Sequence, residues 1–184
     1  MEIKITTQQM LKVLNVLSWI IFIGLCVEAG AIMFNAFFTL VLNPVAANNL
    51  WKEVDLSGLL AYDKGYFVSE MMLMSIVAIL QALLFYLIVK ILSDKKLNFS
   101  QPFNDAMTRF IFNISYLAIG IGLFSYWGAR NTNWLVEKGV TMPEIQRLGF
   151  GGADVWLFMG ITLLVIAQIF KRGVEIQAEN DLTI

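Results

Sequence analysis

Histidine is absent from the chain, and cysteine occurs once, at Cys26. Without imidazole the commonest general base, metal ligand and near-neutral pH switch are all missing, which leaves carboxylates, Lys, Tyr, Ser and Thr for any chemistry. A single cysteine can build neither a disulfide within one chain nor a thiolate metal cluster. Charge is scarce too: 15% of the 184 residues are Asp, Glu, Lys or Arg, and the net charge is −1. No broad basic field draws in nucleic acid, so direct nucleic-acid binding is not expected. No phosphate-cradling glycine loop, metal-ligand pattern or nucleophile elbow is found; Gly149-Phe150-Gly151-Gly152 follows no strand and reads as a flexible helix entry. The expectation is a non-enzymatic protein with no catalytic residue, no metal and no cofactor.

What the chain has instead is apolar length. Hydrophobic residues make up 58% of it, against about 45–50% in a soluble domain. Crossing a hydrocarbon core of roughly 30 Å takes about 20 such residues, and four segments qualify, near 13–42, 67–90, 110–127 and 150–170. The predicted fold is all-α, a single four-helix transmembrane domain over residues 1–184 with a C-terminal tail at 171–184. Val45-Ala46-Ala47 resembles a signal cleavage site, but the apolar stretch before it is far longer than a signal core of about 7–15 residues. The first helix is read as uncleaved, with Thr6 and Gln9 at capping-box spacing.

Lys and Arg near helix ends are retained on the cytoplasmic side. Lys4, Lys12, Lys90, Lys95, Lys96, Arg109, Lys171 and Arg172 fall on the side of the termini, whereas Lys52, Lys64, Arg130, Lys138 and Arg147 are spread over the other two loops. Both termini are therefore expected in the cytoplasm, in a multi-pass protein of a bacterial inner membrane. Trp19, Tyr66, Phe67, Tyr126, Trp127 and Trp134 fall where interfacial aromatics anchor to the bilayer. The outer loops contain apolar residues at helical spacing, and each is expected to hold a short interfacial helix, over Leu56 to Tyr62 in the first. In the second, Asn133 to Lys138 is closed by Gly139, and Thr141-Met142-Pro143-Glu144 opens a turn that Gly149 stops.

Glu28 stands out, because an acid in mid-span costs about 2.5–3.5 kcal/mol on insertion scales. Gly24, Glu28, Ala31 and Asn35 share one helical face, which is expected to point into the bundle. Gln81 and Asn113 are the leading polar partners, joined by Ser115, Tyr116, Thr162 and Gln168. With no Lys or Arg inside the spans, a neutral, hydrogen-bonded carboxyl is expected. Two roles follow: an acid that ties helices together, or a proton or cation site in a small transporter or channel component. Ser115, Ala118, Gly122 and Ser125 recur at steps of three and four, a small-residue seam for close helix approach that leaves a homodimer open. Cys26 is read as a buried small apolar residue.

The segment Asn98-Phe99-Ser100-Gln101-Pro102-Phe103-Asn104 and the ending from Phe170 to Ile184 carry a resemblance. They resemble the P-F motif and the R-G-x-x-x-Q-x-E-x-D-L-T ending of a family of uncharacterised bacterial four-span membrane proteins, domain of unknown function 2975. The matching positions are Arg172, Gly173, Gln177, Glu179, Asp181, Leu182 and Thr183. No activity is implied by that resemblance. Members are often encoded beside a small helix-turn-helix regulator, which implies a cytoplasmic regulator as partner and those tail residues as its contact.

Overall fold

The computed structural model describes residues 7–93 and 103–181. They form five helices: α1 Thr7–Val41, α2 Ser57–Tyr62, α3 Lys64–Ser93, α4 Asp105–Glu137 and α5 Ala153–Asp181, with 3-10 turns at Pro44–Asn48 and Trp51–Glu53. The described chain is all-α, and α1, α3, α4 and α5 are each long and apolar enough to cross a membrane. Thr6, Lys4, Lys95, Lys96, Asn98 to Pro102, Leu182 and Thr183 lie outside the described residues.

The long helices alternate in direction, so residues 42–63 and 138–152 gather at one end, here the capped end. The opposite, terminal end carries the start of α1, the end of α3, the start of α4 and the end of α5. Packing follows a row: α1 lies on α3, α3 on α4, and α4 on α5. The row explains the burial pattern. A third of the most apolar stretch of α3 and of α4 is buried (33% each), against 6% for α1 and 11% for α5, whose outward faces have no protein neighbour.

Helical period decides which side of each element is covered. On α3 the buried positions Phe67, Glu70, Met71, Met74, Val77 and Ala78 repeat at three and four. On α1 the buried seam is Ser18, Ala29, Ile32 and Thr39, one position round from the predicted face. Volume, not polarity, chose it: Ala29 and Ile32 join Met74, Val77 and Ala78 in one apolar cluster, while Gly24 is exposed and Glu28 sits on the flank. Cys26 is exposed as well, in an open groove between α1 and α3, which corrects the expectation of burial.

Between α4 and α5 the small-residue seam is filled from within the chain. Ser115, Ala118, Gly122 and Ser125 are all buried there. A Cβ at Gly122 would lie 2.6 Å from Leu157, and one at Gly160 would lie 2.8 Å from the backbone nitrogen of Ile119. The two helices approach to a distance that only glycine permits.

At 35 and 33 residues, α1 and α4 are about 50 Å long, well beyond a core of about 30 Å. At the capped end both loops fold onto the helices. Ala47, Leu56 and Leu59 have no exposed surface, and Val54, Leu148 and Phe150 retain 1% each. The cap thus extends the hydrophobic core of the helices. Phe67, expected as an interfacial anchor, is fully buried in it, because the loops cover the first turn of α3. Phe150 likewise packs into the space left by Gly128. Helix α2 forms where the first loop was expected to be helical, opened by Asp55, whose Oδ1 accepts from the Ser57 hydroxyl at 2.6 Å and its N–H at 2.9 Å. Those two donors, the hydroxyl first, hold the Asp55 carboxyl below its ordinary range. Asn133 to Glu137 continue α4, and Gly139 ends it at φ +83. Residues 144–150 make a single hydrogen-bonded turn, with Leu148 N–H donating to Glu144 and Gly149 at φ +81.

Candidate functional site

Two groups of polar side chains from the spans lie toward the capped end. In the first, Lys52 Nζ donates to Glu28 Oε1 at 2.5 Å. Glu28 therefore has a cationic partner, contrary to the expectation that none could reach it. The cation comes from the loop rather than from a helix. Leu50 and Val54 form an antiparallel bridge that closes a tight loop, and Lys52 sits at its tip. Lys52 and Glu53 both adopt left-handed backbone, at φ 60 and 59, an arrangement that costs about 1–3 kcal/mol per non-glycine residue. The loop is bent to bring the ammonium down to the helix.

Gln81 shares this neighbourhood. It lines a cavity of about 20 Å³ with Glu28, Lys52, Trp51 and Arg147, enough for one water. Asn35 does not join; its side-chain amide donates back to Ala31 O at 2.8 Å on its own helix. Asn113 is on the exposed side of α4, beside Tyr116, Leu83 and Tyr86. Of the four predicted intramembrane polar residues, the structure brings Glu28 and Gln81 together.

The second group was not anticipated. Glu70 has no exposed surface, yet it is a carboxylic acid on the core face of α3. Asn131 Nδ2 donates to its Oε2 at 2.6 Å and the Thr132 hydroxyl to its Oε1 at 2.5 Å. Thr132 Oγ1 also lies 3.0 Å from the Gly128 carbonyl oxygen, so its single hydrogen faces two acceptors. Each carboxyl oxygen of Glu70 is thus engaged, and the contact pins α3 to α4 below the cap. A signal existed in the sequence: Glu70 stands three residues after Phe67 and four before Met74, in register with the apolar face.

At the terminal end the predicted tail is helical as far as Asp181. Gly173 is the residue that makes contact. A Cβ there would fall 2.5 Å from the ring of Phe103, which in turn packs on Phe170 with centroids 5.2 Å apart. The two segments that carry the family resemblance therefore meet, the ring of one seated on the backbone of the other. Arg172 Nη1 bonds Glu175 Oε2 at 2.9 Å and lies 3.9 Å from Glu179 Oε1. Gln177 is half-buried, and Glu175 and Ile176 are exposed. These predicted residues occupy one helix, with Leu182 and Thr183 outside the described residues.

Among the described residues no three His, Cys, Asp or Glu side chains group as metal ligands would. No match was found among curated proteins or among solved structures. A family model matches residues 51–184, from the first residue of the second 3-10 turn to the end of the chain. On that match, which takes in the cap from Trp51 onward, α3, α4, α5 and the Phe103–Gly173 contact, the chain belongs to the family described as "Protein of unknown function (DUF2975)".

Proposed function

We propose that the protein is a non-enzymatic interaction module of a bacterial cytoplasmic membrane, holding a soluble cytoplasmic partner on the projecting end of α5. The observation that carries this reading is the continuity of that helix. It leaves its apolar stretch at Lys171 and runs unbroken to Asp181. Beyond the exit, Ile176 keeps 46% of its surface exposed beside the exposed acids Glu175 and Glu179. An apolar residue flanked by acids on a helix held at its base is suited to a groove on a second protein. The base is held by Phe103 against Gly173, so the extension projects at a set angle rather than swinging. The excess of Lys and Arg at the terminal end supports a cytoplasmic location for it. The family resemblance supports a helix-turn-helix regulator as the partner.

The competing idea of proton or cation passage through Glu28 finds less support, since that carboxylate is engaged by Lys52 and the cavity beside it holds about one water. Removing Val174 to Ile184 while leaving Gly173 in place is expected to release the regulator from detergent-solubilised protein and to alter expression of the genes it controls. Unchanged expression, with no regulator recovered from the full-length protein, would reject the reading.

A further inference from the structure

We infer that the exposed face of α4 at the capped end holds one anionic phospholipid, with its phosphate on Arg130 and an acyl chain along Leu123 and Trp127. Leu123, Tyr126, Trp127 and Arg130 fall at i, i+3, i+4 and i+7 and so share one side of the helix. Neighbouring helices use other sides: Gly122 and Gly128 face Leu157 and Phe150. The shared side stays open, with 56%, 57% and 64% of Leu123, Tyr126 and Trp127 exposed. It is not flat. Together with Phe124 these residues line a groove of about 510 Å³.

The height of the groove selects a lipid. Gly122 lies against Leu157, which places the start of α5, with Asp154, level with Tyr126 and Trp127. A membrane-crossing helix that begins there puts those two rings at the interface, where amphipathic aromatics belong. Arg130 stands about one turn, or roughly 5 Å, further out, at the height of the phosphates. Its guanidinium is free to act: among the described residues it makes no hydrogen bond or ion pair. Other cations of the capped end are placed differently. Lys138 lies over the Trp134 ring, and Arg147 lines a cleft with Glu53, Asp55 and Glu144.

The charge pattern narrows the headgroup. Guanidinium pairs with phosphate through two parallel hydrogen bonds, stronger than bonds between neutral groups. No carboxylate lines the groove, so a headgroup ammonium would find no anionic partner there and would oppose Arg130. A phosphodiester without a compensating amine fits both facts.

The test is native mass spectrometry of the full-length protein in detergent, titrated with phosphatidylglycerol or phosphatidylcholine of matched chains. One phosphatidylglycerol should be retained in preference to phosphatidylcholine, with retention falling about tenfold in R130Q and inorganic phosphate unable to displace it. Leu123→Trp, which fills the groove and leaves the charge alone, should lower retention as well and covers the case in which R130Q fails to fold. Equal retention of the two lipids overturns the proposal. So does undiminished phosphatidylglycerol binding in either variant, or displacement of the lipid by phosphate alone.

Discussion

Two glutamates of the apolar helices solve the same problem in different ways. A buried acid must have its oxygens engaged, because a polar group stranded in an apolar interior costs several kcal/mol. Glu28 meets this with an ion pair to a loop lysine, 26% and 56% exposed respectively, and Glu70 with two neutral donors and no exposed surface. Glu28 was conspicuous in the sequence because it interrupts a long uncharged run. Glu70 was not, because it stands near the predicted start of its span, where an acid is ordinary, and its donors Asn131 and Thr132 follow the predicted third span, in a stretch that resembles loop. Their helical state depends on the cap, which no local pattern encodes. Removing the Glu70 carboxyl should therefore tell on stability. Glu70→Ala is expected to cost roughly 1–3 kcal/mol, chiefly by stranding Asn131, since Thr132 keeps the Gly128 carbonyl. Glu70→Gln, which keeps the shape and one acceptor, should cost less. Unfolding in mixed micelles, followed by circular dichroism, measures both; an alanine variant as stable as the parent would show that the contact contributes nothing.

At the scale of helices, the seam of small residues was legible as a seam but not as to what fills it. Spacing reports which residues share a face, and only the fold shows that α5 brings Gly160 to Ile119. That seam is occupied within one chain, so a second copy would need another surface. The two glycine seats on α5 differ in kind. At Gly160 a Cβ would meet backbone, 2.8 Å from Ile119 N, and cannot be accommodated by a rotamer change. Gly160→Val should cost about 1–3 kcal/mol or more through overpacking. At Gly173 the nearest obstacle is the ring of Phe103, so the penalty should depend on that ring. Gly173→Ala is expected to lower the melting temperature in the parent and to add nothing once Phe103→Ala has removed the obstacle. Additive losses in that double-mutant cycle would show that the ring does not sit on the glycine.

The two ends of the molecule differ among the described residues, with a folded cap at one and the α5 extension at the other. Four long apolar helices were readable from composition alone, since about 20 apolar residues in a row admit few alternatives. Their arrangement as a row was not, because the uncovered sides of α1 and α5 are as apolar as the covered ones and periodicity is blind there to which side is covered. Orientation rests on the distribution of Lys and Arg, dense at the terminal end and sparse across the cap. The chain offers a direct way to check it, because Cys26 is its single cysteine and Cys26→Ala supplies a clean background. Glu137→Cys at the capped end and Ala178→Cys on the α5 extension both replace exposed residues. In intact cells a membrane-impermeant maleimide should label position 137 and spare position 178 until the membrane is opened. The reverse pattern would place the projecting helix outside, where no cytoplasmic partner could reach it, and the proposed function would fall with the orientation.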